Sequence, residues 1–357
     1  MGTDWNLIEL ADLGVLRLRG VDAMRFLQGQ VSNDVEKLSA ERSQLAGYHN
    51  PQGRTIALLR LVQLGADDLL AILPSELAAP VVSRLAKFIL RAKVKVADES
   101  SVWRVMGLVA PDNGPVQSYT PAGADLLTPS SWAAAQFERA SAKAAAAAQL
   151  AEDAVVSLPT ASALILPDAV HSQSRSGETI IVRVGAAPAR WLVISPASET
   201  TLLSGCASAN LDAWRLLDIA DGLPRVYAAT SEEFVAQMLN LDALGAIAFD
   251  KGCYTGQEVI ARAHYRGRVK RRMQRFLSRE PARLAVGDSG QLADGRSFKV
   301  VETAVLANGR CEFLAVAPIV SSVANEGAAE PGEAGGTAPH LTPLDAEVLP
   351  MSYPLPE

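Results

Sequence analysis

Aromatic residues make up only 5% of the 357-residue chain, cysteine occurs three times and histidine four times. No apolar run approaches the roughly 18 residues of a membrane-spanning helix. The cysteines, Cys206, Cys253 and Cys311, are far apart and form no C-x-x-C pair, which argues against a disulfide framework, a zinc knuckle or any metal-ligating set. The start, M-G-T-D-W-N-L-I-E-L, lacks the basic and apolar regions of a secretory signal, and Asn6 breaks a myristoylation motif. A reducing cytoplasm and no membrane are expected. Walker A, G-x-G-x-x-G and H-E-x-x-H motifs are missing too, so nucleotide hydrolysis, dinucleotide redox and zincin chemistry drop out. With a formal charge of −6 and a pI near 5.4, the chain does not coat nucleic acid over its whole surface, although a local basic face remains open.

What is present is a 49% hydrophobic chain, long enough for two or three domains. Val15 to Leu18 reads as a strand, followed by a helix that Asp22 can cap and that carries Met24, Phe26 and Leu27. The turn Asn50-Pro51-Gln52-Gly53 precedes an apolar strand from Thr55 to Leu64, a Gly65 to Asp68 turn and a second strand from Leu69. Leu77, Val81, Leu85, Phe88 and Ile89 recur at helical spacing, and a second helix runs from Leu211 to about Asp218. This mixture predicts an α+β fold. Alanine dominates from Ser130 to Val156, as in a solvated helix or a variable insert. After residue 271 short strands predict a small barrel or sandwich, with a hairpin at Asn308-Gly309 and a flexible segment over 324–340.

The densest chemistry lies at 251–258, K-G-C-Y-T-G-Q-E. A helix beginning near Thr255, with Glu258 as partner in a capping box, would leave Cys253 just outside its N-terminus. There the helix dipole and the Lys251 ammonium would favour a thiolate. Two readings stand for Cys253, a small core group or a functional thiol whose neighbours Tyr254 and Gln257 orient a ligand while Glu258 moves protons. Beyond it, Arg262, Arg266, Arg268, Lys270, Arg271, Arg272 and Arg275 form a run with no acid between Glu258 and Glu280, suited to an anion or to weak RNA contact over 262–275, or to a solvated linker. Trp214 reads as core, or as a stacking surface for a flat heterocycle.

These residues resemble the YgfZ family of folate-binding proteins, relatives of the T-protein (aminomethyltransferase) of the glycine cleavage system. The resemblance rests on F-L-Q-G-Q-V-S-N-D-V at 26–35, N-P-Q-G-R at 50–54, D-I-A-D-G-L-P at 218–224 and, most specifically, K-G-C-Y-T-G-Q-E-V-I-A-R at 251–262. It implies a three-domain, clover-like T-protein fold with tetrahydrofolate in a central cleft and a C-terminal β-barrel. The folate-binding domain would comprise 1–49 and 111–270, an inserted α+β domain 50–110, and the barrel 271–357. Cys253 matches the signature cysteine, with Lys251 and Glu258 beside it, and Trp214 a position of folate contact. Asn33, Asp34, Tyr254, Gln257, Arg262 and Arg266 complete the implied folate site. The implied role is assembly or repair of iron–sulfur clusters in client enzymes, including those that thiolate tRNA, by a protein that is not a classical enzyme.

Departures bear on the alternative, a folate-dependent one-carbon transferase. Alignment with the T-protein puts Ala57 where that enzyme has an Asp, Ala220 where it has a Glu, and Gly14 where some family members carry a second tryptophan. Without carboxylates at both places, the proton transfer that typically contributes about 10² to 10⁴ in rate is missing.

Overall fold

The computed structural model describes residues 5–110, 155–156, 164–199, 207–267, 269–319 and 343–356. The alanine-rich stretch before 155, the 324–340 segment, Cys206 and Arg268 lie outside these residues.

Three antiparallel-rich sheets carry the fold. The first takes β2 (Leu13–Arg19), β3 (Gln44–His49), β4 (Thr55–Gly65), β5 (Asp68–Pro74) and β6 (Lys95–Asp98) in the order β3-β4-β5-β2-β6. The second takes β1 (Asn6–Glu9), β7 (Trp103–Val109), β10 (Gln173–Ser176), β11 (Thr179–Gly185), β12 (Arg190–Pro196) and β13 (Ala207–Ser208), in the order β10-β11-β12-β7-β1-β13. The third takes β14 (Arg271–Ser278), β15 (Ser289–Gln291), β16 (Ser297–Val305), β17 (Cys311–Pro318) and β18 (Ala346–Leu349), in the order β15-β16-β17-β14-β18. Val155–Val156 (β8) and Leu164–Ile165 (β9) form a separate pair.

Strand β4 reads as one apolar run because both of its faces are covered. Val62 joins Val15, Leu70 and Ile72 against Val105, Val182 and Ile194 of the second sheet, while Leu59 and Leu61 pack with Phe26 and Leu27 of α1 (Ala23–Gln28) and Val81 and Leu85 of α2 (Ala78–Ala86). Helix α3 (Leu211–Ala220) inserts Ala213, Trp214 and Leu217 into the core between the first two sheets. Its other face sends Leu216 and Ile219 into the cluster that holds Val301, Leu314 and Val316 of the third sheet. The third sheet keeps a further core of Phe276, Phe298 and Phe313. Its two edges meet where Leu292, after β15, bridges Leu344, before β18, through backbone bonds of 3.0 and 2.8 Å.

Residue 50 lies in the turn of a hairpin in which Tyr48 pairs with Ala57 and Leu45 with Arg60. Backbone pairing unites residues 13–98 in one sheet and sends β7 to the other. Two sequence expectations need correction. Asp22 does not cap α1 with its side chain; the carboxylate accepts from the Lys93 backbone N–H at 2.6 Å. The last helix, α4 (Gln257–Arg266), starts two residues after Thr255, behind Gly256 at φ 83°, and no capping box forms. A left-handed residue at the N-cap turns the chain away from the geometry that a Thr255 cap would need.

Candidate functional site

The motifs at 26–35, 50–54 and 251–262 converge through backbone contacts. Gly53 (φ 71°) and Gly256 (φ 83°) allow the two loops to touch: a Cβ on Gly256 would lie 2.5 Å from the Asn50 carbonyl oxygen and 3.0 Å from the Gly53 Cα. Lys251 Nζ donates to the carbonyls of Gln28, Val31 and Asn33 at 2.7, 2.8 and 2.7 Å, collecting acceptors that the end of α1 leaves open. Its chemistry is thus that of a brace, and burial pushes its pKa down to about 8. Asn33 Nδ2 donates to the carbonyls of Leu45 and Gly245 at 2.6 and 2.8 Å, and the Asp34 carboxylate accepts from Gln28 Nε2 at 2.8 Å. Tyr254 is buried under the Lys251 ammonium, 5.3 Å from ring centroid to Nζ, and Gln257 donates to the Lys251 carbonyl at 3.4 Å.

Cys253 itself is exposed, so the core reading of the thiol is set aside. Glu258, Arg262 and Arg266, four residues apart on α4, share the same solvent-facing side. The basic run is divided by strand β14. Arg272 is buried in a bidentate pair with Asp242 (3.0 and 2.8 Å), and Arg275 is buried beside Glu312 (2.6 Å), so neither offers its charge to an external anion. Among the described residues of 262–275, Arg262, Arg266 and Lys270 are exposed and Arg271 is half-buried, with Tyr265 beside them 68% exposed.

A cavity lies where the three sheets approach one another. The chamber that all three sheets line, the main one in this sense, is about 290 Å³ and is walled by Leu45 and Arg60 from the first sheet, Val184 and Gly185 from the second, and Arg275 from the third. Ala220 and Asp221 of the α3 end and Met351 and Tyr353 of the C-terminal segment complete it. A smaller chamber of about 70 Å³ shares Arg60 and is lined by Trp214, Asp218 and Arg225. A third, about 520 Å³, shares Leu45 and His171 and opens among Asn33, Lys37, Arg42, Gln44 and Asp250.

Charge inside this region is mostly paired. The Arg190 guanidinium, fully buried over the Trp214 ring at 4.8 Å, donates to Asp218 Oδ1 at 2.5 Å and Asp221 Oδ2 at 2.6 Å. Arg225 donates to Asp218 Oδ2 and to Asp12 Oδ2, both at 2.9 Å. Arg60 differs: its one hydrogen-bond partner among the described residues is His171 Nδ1, at 3.1 Å. Desolvation lowers the Arg60 pKa to about 10 and that of His171, with help from Arg60 and Arg42, to about 3. Since a guanidinium only donates, Nδ1 of His171 accepts and the ring is neutral.

Leu58 and Arg60 of β4 line the cavity, while Ala57 is buried in the cluster on the helix-bearing side. The alternation that turns Ala57 away puts Leu58 at the wall, which is equally unable to move a proton. Ala220 does line the main chamber, as an alkyl wall. Asp218 and Asp221, which also line the chambers, are engaged by guanidinium groups.

The residues named from sequence therefore fall into three groups. Trp214 and Asn33 line chambers, although the Trp214 ring is engaged by Gly107 and Arg190 and gives a wall, not an open stacking face. Lys251, Tyr254, Gln257 and Asp34 brace the loop, and Cys253, Glu258, Arg262 and Arg266 face outward. Sequence reasoning missed Arg60, His171, Asp218, Asp221 and Arg190. One signal was available: Arg60 is the charge in the middle of the apolar run from Thr55 to Leu64.

No family model matches the chain. It is similar to the tRNA-modifying protein YgfZ of Yersinia pseudotuberculosis, 30% identical over 275 residues covering 76% of this chain and 70% of that protein. The tRNA-modifying protein YgfZ of Serratia proteamaculans is likewise 30% identical over 275 residues, covering 74% and 69%. Among solved structures, the glycine cleavage system aminomethyltransferase T from Bartonella henselae aligns with a TM-score of 0.60, 14% identity, and coverage of 88% of this chain and 79% of that one, a likeness of fold.

Proposed function

This chain belongs to the YgfZ family, and on that premise we propose that it is a folate-binding accessory protein of tRNA modification, serving iron–sulfur enzymes and not itself transferring a one-carbon unit. The observation that carries this reading is the cavity between the three sheets, whose Leu58 and Ala220 walls lack a carboxylate while Asp218 and Asp221 are tied to arginines. A site of this size, with apolar walls and few convergent polar groups, suits a small heterocyclic ligand. The donor Arg60 and the apolar Leu45, Val184 and Leu223 fit tetrahydrofolate, and they would hold it. Bound folate would supply the carrier for a one-carbon unit. The protein's own residues would shield it from water and fix its orientation.

In this reading the three sheets are lobes of a clover-like arrangement and the Leu292–Leu344 bridge closes β14–β18 as a barrel. Cys253, exposed on a loop held rigid by Lys251 and Gly256, serves cluster or partner chemistry outside the cavity, in the cytoplasm. Arg262 and Arg266, with exposed Tyr265, give tRNA or a client enzyme a small basic contact.

Calorimetry with tetrahydrofolate tests the binding half: saturable uptake is expected, and a flat titration removes it. Activity of tRNA-thiolating iron–sulfur enzymes in a strain lacking the endogenous homologue tests the other half. Wild type is expected to restore it and Cys253→Ala to fail; full rescue by the variant would end the role of the thiol.

A further inference from the structure

Arg60 is 6% exposed on the central part of β4, directly opposite Leu45 in the ladder, and borders both the small and the main chamber. Three other buried arginines around the cavity each have a carboxylate at hydrogen-bond distance: Arg190 has Asp218 and Asp221, Arg225 has Asp218 and Asp12, and Arg275 has Glu312. Among the described residues Arg60 has none within 4.0 Å, and its sole partner is the neutral His171 ring at 3.1 Å. Both Asp218 oxygens are already taken, Oδ1 by Arg190 and Oδ2 by Arg225. An uncompensated buried cation costs several kcal/mol unless an anion joins it.

We propose that the cavity contains a carboxylate-binding subsite in which Arg60, held by His171, receives a singly charged planar carboxylate of the ligand. The guanidinium fork matches a carboxylate in two parallel hydrogen bonds. A doubly charged phosphate suits the place less, because Asp218 and Asp221 line the same walls and would repel the second charge. The inference shares its cavity with the folate reading but does not depend on which ligand brings the carboxylate: the terminal carboxylate of a folate and a free dicarboxylate present the same group.

The test uses the full chain with glutarate as probe, in isothermal titration and thermal melting, beside inorganic phosphate and tetrahydrofolate. Wild type is expected to bind glutarate, with affinity falling about ten- to a hundredfold in Arg60→Met and an intermediate loss in Arg60→Lys, which keeps the charge without the fork. Arg60→Met is also expected to melt no lower than wild type without ligand, since it removes an unpaired buried charge. If it fails to fold, Arg60→Lys carries the affinity comparison. No glutarate binding to wild type, or equal affinity in the variants, overturns the subsite, and equal binding of phosphate with the same Arg60 dependence overturns its carboxylate preference. Glutarate binding without tetrahydrofolate binding leaves the subsite standing and removes the folate reading. Tetrahydrofolate binding without any glutarate binding does the reverse.

Discussion

Gly256 lies against the carbonyl of Asn50, so near that a Cβ there would stand 2.5 Å from the oxygen, and it does so at φ 83°. Two loops about two hundred residues apart in the chain are thereby locked into one unit. Gly256→Ala is expected to cost about 1 to 3 kcal/mol, from steric overlap added to left-handed backbone strain. Gly252, in the same motif, has open space at its Cβ position, and Gly252→Ala should be nearly neutral. Chemical denaturation of the two variants checks the contrast, and equal losses would contradict it.

Acid should weaken the fold before most carboxylates titrate. Burial pushes His49 and His171 down to about 3 from an ordinary value of 6.5, and among the described residues neither His49 ring nitrogen has a hydrogen-bond partner. Because the unfolded chain takes up these protons first, the contribution of each histidine is complete above about pH 6.5 and is lost as pH falls toward 3. The full slope is about 1.4 kcal/mol per pH unit per histidine. Unfolding free energies between pH 6 and 5 should fall more steeply for wild type than for His49→Leu, and parallel curves would exclude His49 as a source.

Arg190→Met leaves Asp218 without one of its two guanidinium partners and Asp221 without its only ion pair among the described residues. A loss of about 3 to 5 kcal/mol is expected, as for a buried pair broken from one side. Urea titration measures it, and a loss below about 1 kcal/mol would mean that the network relaxes.

The basic run should separate by mutation into surface and core. Arg266→Gln, on the exposed side of α4, is expected to change stability by less than about 0.5 kcal/mol. Arg272→Gln strands Asp242 in the interior and should cost about 3 to 5 kcal/mol. Thermal melting of both distinguishes them.

Thiol labelling offers a simple check of the loop. Cys253 is exposed, whereas Cys311 is buried in the third sheet with its Sγ donating to the Ala282 carbonyl at 2.8 Å, and burial raises its pKa. Brief alkylation of the native protein followed by peptide mass spectrometry should modify Cys253 and spare Cys311 until denaturant is added.

Much of the secondary structure was legible because hydrophobic periodicity is local. The β4–β5 hairpin at Gly65 to Asp68, the α2 stripe through Val81 and Leu85, and the α3 start after Asn210 all follow from residues within a few positions. The start of α4 was misjudged because a Thr-x-x-Glu pattern does not reveal that Gly256 adopts a left-handed conformation. The burial of Arg272 and Arg275 was not legible because both look like surface residues until Asp242 and Glu312 are seen beside them.

By itself the sequence determined the α+β class, the family and the glycine-rich loops, since each is written in contiguous residues. Only the tertiary structure decided what those residues do to one another. It made Lys251 a brace for three carbonyls, left Cys253 exposed, and set Arg60 in a cavity wall with a histidine as its only hydrogen-bond partner among the described residues. The physical reason is that charge pairing and burial are set by distances across the fold. Arg60 and His171 are 111 positions apart in the chain and 3.1 Å apart in space.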